Sequence, residues 1–151
     1  MPLPQPSDPC LCGRLAPAGP GGSKGKSATP LAFARCCGRY LAAPGLEASA
    51  APDTESLMRS RYTAFALGDA EYLLRTWHPR TRPERLELDD RDWVGLEITD
   101  RVDGAEHDMM GIVGFTAHWV AGRQPGSQTE RSAFVRRGGR WVYLAATPDA
   151  E

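Results

Sequence analysis

The chain lacks an excess of either charge. Its 18 Lys plus Arg stand against 19 Asp plus Glu, for a formal net charge of −1. A protein that holds nucleic acid mainly through phosphates needs a basic surplus somewhere, so this balance does not favour that class. Long apolar runs are also missing: no stretch approaches the roughly 18 residues that would span a bilayer. The opening Met1 to Pro9 has neither basic residues nor an apolar stretch, so no signal peptide is visible and a cytoplasmic location is the expectation. There are only three histidines and no cysteine after Cys37. Neither a nucleophile elbow nor a supported Ser-His-Asp arrangement can be found. The glycine-rich Gly19 to Ser27 ends in Gly-Lys-Ser but has no apolar strand before it, which excludes a phosphate-binding P-loop.

What is present is the composition of a globular chain, 41% hydrophobic and 25% charged over 151 residues with four tryptophans. That length suits one domain with a small appendage. Residues 1–40 are rich in Pro, Gly, Ala and Ser and hold all four cysteines, 41–52 read as a linker, and 53–151 carry the periodic signals. Asp53 caps a first helix over Ser56 or Leu57, and the helix stops at Gly68. Its apolar face is Leu57, Met58, Tyr62, Ala64 and Phe65, with Arg59, Thr63 and Ala66 opposite. Asp69 opens a second helix in which Ala70, Leu73, Leu74 and Trp77 recur at i, i+3, i+4 and i+7 until His78-Pro79. A short third helix is allowed within Thr81 to Asp92.

The period then changes to two. Val94, Leu96 and Ile98 alternate with Gly95, Glu97 and Thr99, and further strands are readable at about 109–120, 128–137 and 140–147. Arg137-Gly138-Gly139-Arg140 is the hairpin turn between the last two. Helices followed by consecutive strands predict an α+β fold with an antiparallel sheet packed on the helices.

In a reducing compartment disulfides rarely persist, so Cys10, Cys12, Cys36 and Cys37 are better read as metal ligands than as bridged or free thiols. Two thiolate pairs supply the four soft ligands of a tetrahedral zinc ion and leave no position for a catalytic water. Cys10-x-Cys12-Gly13, then Phe33 and Cys36-Cys37-Gly38, resembles the SEC-C zinc motif found at the end of SecA. Cys-Cys-Gly-Arg-Tyr followed by Leu57 to Tyr62, Thr76-Trp77-His78-Pro79 and Glu130-Arg131-Ser132 resembles the YchJ family over most of the chain. That resemblance implies one structural Zn2+ per chain and a nuclear transport factor 2-like, or cystatin-like, cone. It also implies an adaptor role for the Cys10 to Gly38 region, since SEC-C motifs in SecA contact partners. Between the pairs the 23 residues from Gly13 to Arg35 exceed the short spacing usual for the motif, which implies an insertion rich in Gly, Pro and Lys. Lengthening a loop from roughly 8 to 23 residues costs only about 1 kcal/mol, so the site should tolerate it.

Arg61, in the middle of an apolar helix face, needs a partner, because an unpaired buried guanidinium is costly. Glu130 is the first candidate and Asp100 the second. Arg61, Tyr62, Trp77, His78, Trp119 and Glu130, joined by Phe115 and Trp141, would line a pocket if the cone is open. More often such residues are simply core and a buried ion pair, or an arginine stem lying flat with its head in solvent. Three functions follow. The leading one is a zinc-binding module that meets a protein or a small anionic ligand, a homodimer being one such assembly. The second is a small isomerase or dehydratase using His78 or a carboxylate with Tyr62. The third is a nucleic-acid or ribosome-associated protein, favoured only by Lys24, Lys26, Arg35 and Arg39 near the cysteines.

Overall fold

The computed structural model describes residues 4–15, 29–41, 49–89 and 91–147. The insertion core at 16–28, with its Gly-Lys-Ser, and the linker residues 42–48 lie outside them. A 3-10 turn at Phe33–Arg35 and a short helix α1 (Gly38–Leu41) belong to the cysteine region. Helices α2 (Thr54–Leu67) and α3 (Ala70–Arg75) follow, then four strands, β1 (Asp92–Asp103), β2 (Met110–Ala121), β3 (Gln124–Arg137) and β4 (Arg140–Ala146). The strands pair in chain order as one antiparallel meander. Helices packed on a single antiparallel sheet make an α+β fold, as expected.

Local chemistry explains the helix ends. The Asp53 carboxylate accepts the Ser56 amide at 2.7 Å, α2 closes on Gly68, and Asp69 accepts the Tyr72 amide at 3.0 Å to start α3. The second helix is shorter than its periodicity predicts. It ends at Arg75, and Thr76 to His78 run beside the edge of β4: the Tyr143 amide donates to the Thr76 carbonyl and the His78 amide to the Tyr143 carbonyl, each at 2.8 Å. Edge strands need covering, and here the segment after α3 does it. No third helix forms among the described residues of 81–92.

The sheet also departs from simple alternation. Register shifts fall between Trp93 and Gly95 and between Ile98 and Asp100, so Val94 and Thr99 are extra residues in β1. A bulge turns the next side chain to the other face. Val94 is therefore 61% exposed rather than inward, and Trp93 takes the core side with Leu96 and Ile98. At the far hairpin Gly138 and Gly139 have φ of 61° and 81°, left-handed values that suit glycine in a two-residue turn.

The largest difference concerns α2. Arg59, Thr63 and Ala66 lie opposite the apolar face in the sequence reading, yet Thr63 is fully buried and Ser56, on the same stripe, nearly so. The cysteine region covers this stripe, while Leu57, Met58 and Tyr62 pack toward the sheet. Cys10, Cys12, Phe33, Cys36 and Cys37 thus share one continuous core with Leu57, Met58, Val113, Phe115 and Phe134.

Candidate metal centre

The two cysteine pairs are brought together by a small ladder. Cys10 donates its amide to the Leu31 carbonyl, Leu31 to Arg14, and Phe33 to Asp8, with isolated bridges Pro9–Ala32 and Leu15–Pro30. Because Leu15 and Pro30 are paired, the insertion leaves and re-enters the chain at adjacent points, and its length does not spread the cysteines. Phe33 is completely buried beside them. Gly38 passes so close to Phe33 that a Cβ there would lie 2.7 Å from the Phe33 carbonyl oxygen, a contact only glycine avoids.

All four sulfur atoms lie within 4.8 Å of one another, and all four residues are buried. Cys12 Sγ and Cys36 Sγ are 3.5 Å apart, far beyond the roughly 2.05 Å of a disulfide. A tetrahedral zinc–thiolate centre, with Zn–S bonds of about 2.3 Å, has S···S edges of about 3.8 Å, so the cluster has the size such an ion requires. Crowding splits the thiols. Hydrogen bonds from Cys12, then from Cys36 and Cys37, hold Cys10 below the ordinary thiol range. The same contacts, first with Cys10 and then with Cys12, push Cys36 above it. Four thiols packed this closely cannot all ionise unless a cation joins them. The donor set therefore fits a soft or borderline metal.

Polar groups from α2 and α1 hold the cluster from outside. Thr63 donates its hydroxyl to Cys37 Sγ at 3.3 Å, Arg59 donates Nη1 to the Cys12 carbonyl at 3.1 Å, and Arg39 donates Nε to the Cys36 carbonyl at 3.1 Å. Arg59 also pairs with Glu55 at 2.7 Å, and Arg101 and Arg14 approach the same carboxylate. Burial works to raise the Glu55 carboxyl, but the three arginines outweigh it and hold it below its ordinary value. Sequence periodicity missed Arg59 and Thr63 in this role because both sit on the stripe that reads as exposed. Their spacing of four residues, on a helix following Cys-Cys, was the only available signal. Outer partners of metal ligands tune affinity. Thr63→Val keeps the shape and removes the donor, and should weaken metal binding about tenfold in a chelator competition while leaving the far-ultraviolet circular dichroism unchanged.

The second set of residues does not converge as expected. Arg61 is 4% exposed and makes no ion pair among the described residues. Its Nη1 donates to the Leu73 carbonyl at 2.8 Å and to Thr76 Oγ1 at 2.7 Å, and its guanidinium lies over Trp77 at 5.0 Å and over Tyr143 at 4.7 Å. Burial pulls its pKa down to about 10. Glu130 reaches Arg61 only through Tyr143, whose hydroxyl donates to it at 3.3 Å, and also accepts from Ser132. Asp100 pairs with Arg131 instead, at 2.6 Å. Aromatic faces have taken the place of the anticipated carboxylate because α3 ends early and turns Trp77 onto Tyr143.

The other members lie apart. Tyr62 packs edge-on to Trp93, with centroids 6.2 Å apart, and with Met58, Phe65 and Phe115 it borders a small apolar cleft of about 80 Å³. Trp119 lies under Arg91 at 4.8 Å and against Gly126 across the sheet. His78 accepts the Arg80 amide on Nδ1, and His118 pairs with Glu97 at 2.8 Å. Arg61 lines none of the main clefts formed by the described residues. Among the described residues no helix is long and apolar enough to cross a membrane.

Comparison with known proteins agrees with this architecture. Residues 53–146 match the family model described as YchJ, middle NTF2-like domain. A UPF0225 protein of Streptomyces coelicolor is 46% identical over 139 residues, 91% of this chain and 94% of that protein. Another from Chromobacterium violaceum is 48% identical over 117 residues, 75% and 84% of the respective chains. Among solved structures, a SEC-C motif containing protein from Rhodopseudomonas palustris superposes with a TM-score of 0.70 at 27% identity, covering 95% of this chain and all of that one. One from Psychrobacter arcticus gives 0.69 at 25% identity, covering 97% and 86%. With a SEC-C cysteine cluster set on an NTF2-like α+β domain, and with these relatives, the chain belongs to the YchJ, or UPF0225, family.

Proposed function

We propose that this protein is a binding module built around one structural zinc ion, held by Cys10, Cys12, Cys36 and Cys37. The observation that carries the reading is the closed donor set: four buried sulfur atoms within 4.8 Å of one another. Four thiolates complete a tetrahedron, so the metal holds structure and offers no site for water or substrate. Its effect is to clamp residues 8–15 and 30–41 onto α2, through Arg14, Arg59 and Thr63. The clamp completes a surface that the NTF2-like domain alone would not have, which suits an adaptor or ligand-binding role.

The test is elemental analysis of protein purified without added metal, combined with thiol titration. About one zinc per chain is expected, with four thiols that react only after chelation or unfolding. Four fully reactive thiols and no metal would sink the reading, and iron in place of zinc would replace its cofactor.

A further inference from the structure

A cavity of about 330 Å³ opens beside the end of α3, at the lower end of the roughly 300–1,000 Å³ range of ligand clefts. Four arginines line it: Arg75 from the last position of α3, Arg82 from the following loop, and Arg137 and Arg140 from the two sides of the Gly138-Gly139 turn. Among the described residues no carboxylate does. Among the described residues none of the four makes a salt bridge, whereas Arg14, Arg59, Arg91, Arg101 and Arg131 all do. In a chain of net charge −1, four cations at one cavity with no counter-ion among the described residues form a localised field.

The strand register adds an independent sign. Arg137 and Arg140 are directly opposite partners in the β3–β4 ladder, and like charges in that position destabilise a hairpin. Their repulsion is relieved when an anion sits between or beside them. The walls below are aromatic, with Trp77 and Trp141 from the domain and Tyr40 from α1, just past Cys36-Cys37. A cationic rim over a partly apolar, aromatic wall suits a molecule with a planar body and a multiply charged end.

The geometry points to this cavity as the binding site for a small phosphate-bearing molecule. Phosphate matches the site better than a single carboxylate. Its two negative charges and three free oxygens take planar guanidinium forks from more than one side, and four such forks are present. The arginines gather at one cavity instead of forming a stripe, which fits a small molecule and not a nucleic-acid strand. The assignment deepens the binding-module reading, yet it needs no particular metal at the cysteines.

The test uses the full-length metal-loaded protein and adenosine 5′-monophosphate as the probe, followed by heteronuclear NMR. Shifts should centre on the indoles of Trp77 and Trp141 and on the arginine side chains of the rim. Adenosine, lacking the phosphate, should bind at least tenfold more weakly, and pyrophosphate should compete. Arg82→Ala with Arg140→Ala, both exposed and away from the core, should weaken the probe about a hundredfold, about tenfold for each arginine engaged. The same variant should retain its full metal content, so a failed cavity and a failed metal centre are told apart. The proposal is overturned if adenosine binds as tightly as its monophosphate, if the double variant binds like the unaltered protein, or if the shifts map elsewhere.

Discussion

Cys12→Ser is expected to lose the metal and to lower the thermal midpoint by about 10 °C or more, the signature of several kcal/mol in a chain of this size. The size of the effect follows from where Cys12 sits. It is fully buried, its sulfur is 3.5 Å from that of Cys36, and its carbonyl accepts from Arg59. Structural zinc contributes roughly 10 to 16 kcal/mol in small peptides, as much as the whole folding free energy of an ordinary domain. Losing it should release residues 8–15 and 30–41 and uncover Ser56, Arg59 and Thr63. Those residues are polar, so water can solvate that stripe of α2, while the loss of Phe33 and the cysteines from the shared core weakens the packing against the sheet without abolishing it. The expected end state is a weakened domain with a loose N-terminal segment, visible as rapid amide exchange in 8–15 and 30–41 and retained protection in β2 and β3. A variant that kept both its metal and its midpoint would refute the clamp.

Arg61→Ala should cost about 3 kcal/mol or more in urea unfolding, whereas Arg61→Met should cost much less. Alanine leaves a cavity of the kind that costs roughly 2–5 kcal/mol when a large buried side chain is truncated. It also removes a donor from the Leu73 carbonyl and the cation from between Trp77 and Tyr143, contacts worth about 0.5–2 kcal/mol each when desolvated. Methionine refills the volume and carries no charge to desolvate, and apolar replacement of buried ions is often neutral. Glu130→Gln separates this arrangement from a direct ion pair. Glu130 lies behind Tyr143, so its neutralisation should cost under about 1 kcal/mol, where breaking a buried ion pair costs roughly 3–5. A large loss from Glu130→Gln, or a negligible one from Arg61→Ala, would contradict the aromatic clamp.

The cysteine cluster and the helix ends were legible because each depends on groups close in sequence. Cys10-x-Cys12 and Cys36-Cys37 declare two thiolate pairs. Asp53, Gly68 and Asp69 mark boundaries through backbone hydrogen bonds three or four residues away, and Gly138-Gly139 permits one kind of turn. Periodicity misled where a local slip or a distant surface intervened. The bulge at Val94 turned that residue outward and put Trp93 on the core side with Leu96 and Ile98, and a single extra residue leaves no mark on the apolar pattern around it.

By itself, the amino-acid sequence determined the α+β class, the order of elements, the four cysteines and the family, since these rest on short-range geometry and on motifs. Only the tertiary structure decided that the polar stripe of α2 is buried under the cysteine clamp, and that Arg61 is held by aromatic rings. It alone gathered Arg75, Arg82, Arg137 and Arg140, dispersed over more than 60 positions of chain, around one cavity. The physical reason is the same in all three cases. A side chain's worth depends on what is packed against it, and packing brings together residues whose separation along the chain carries no trace of their contact.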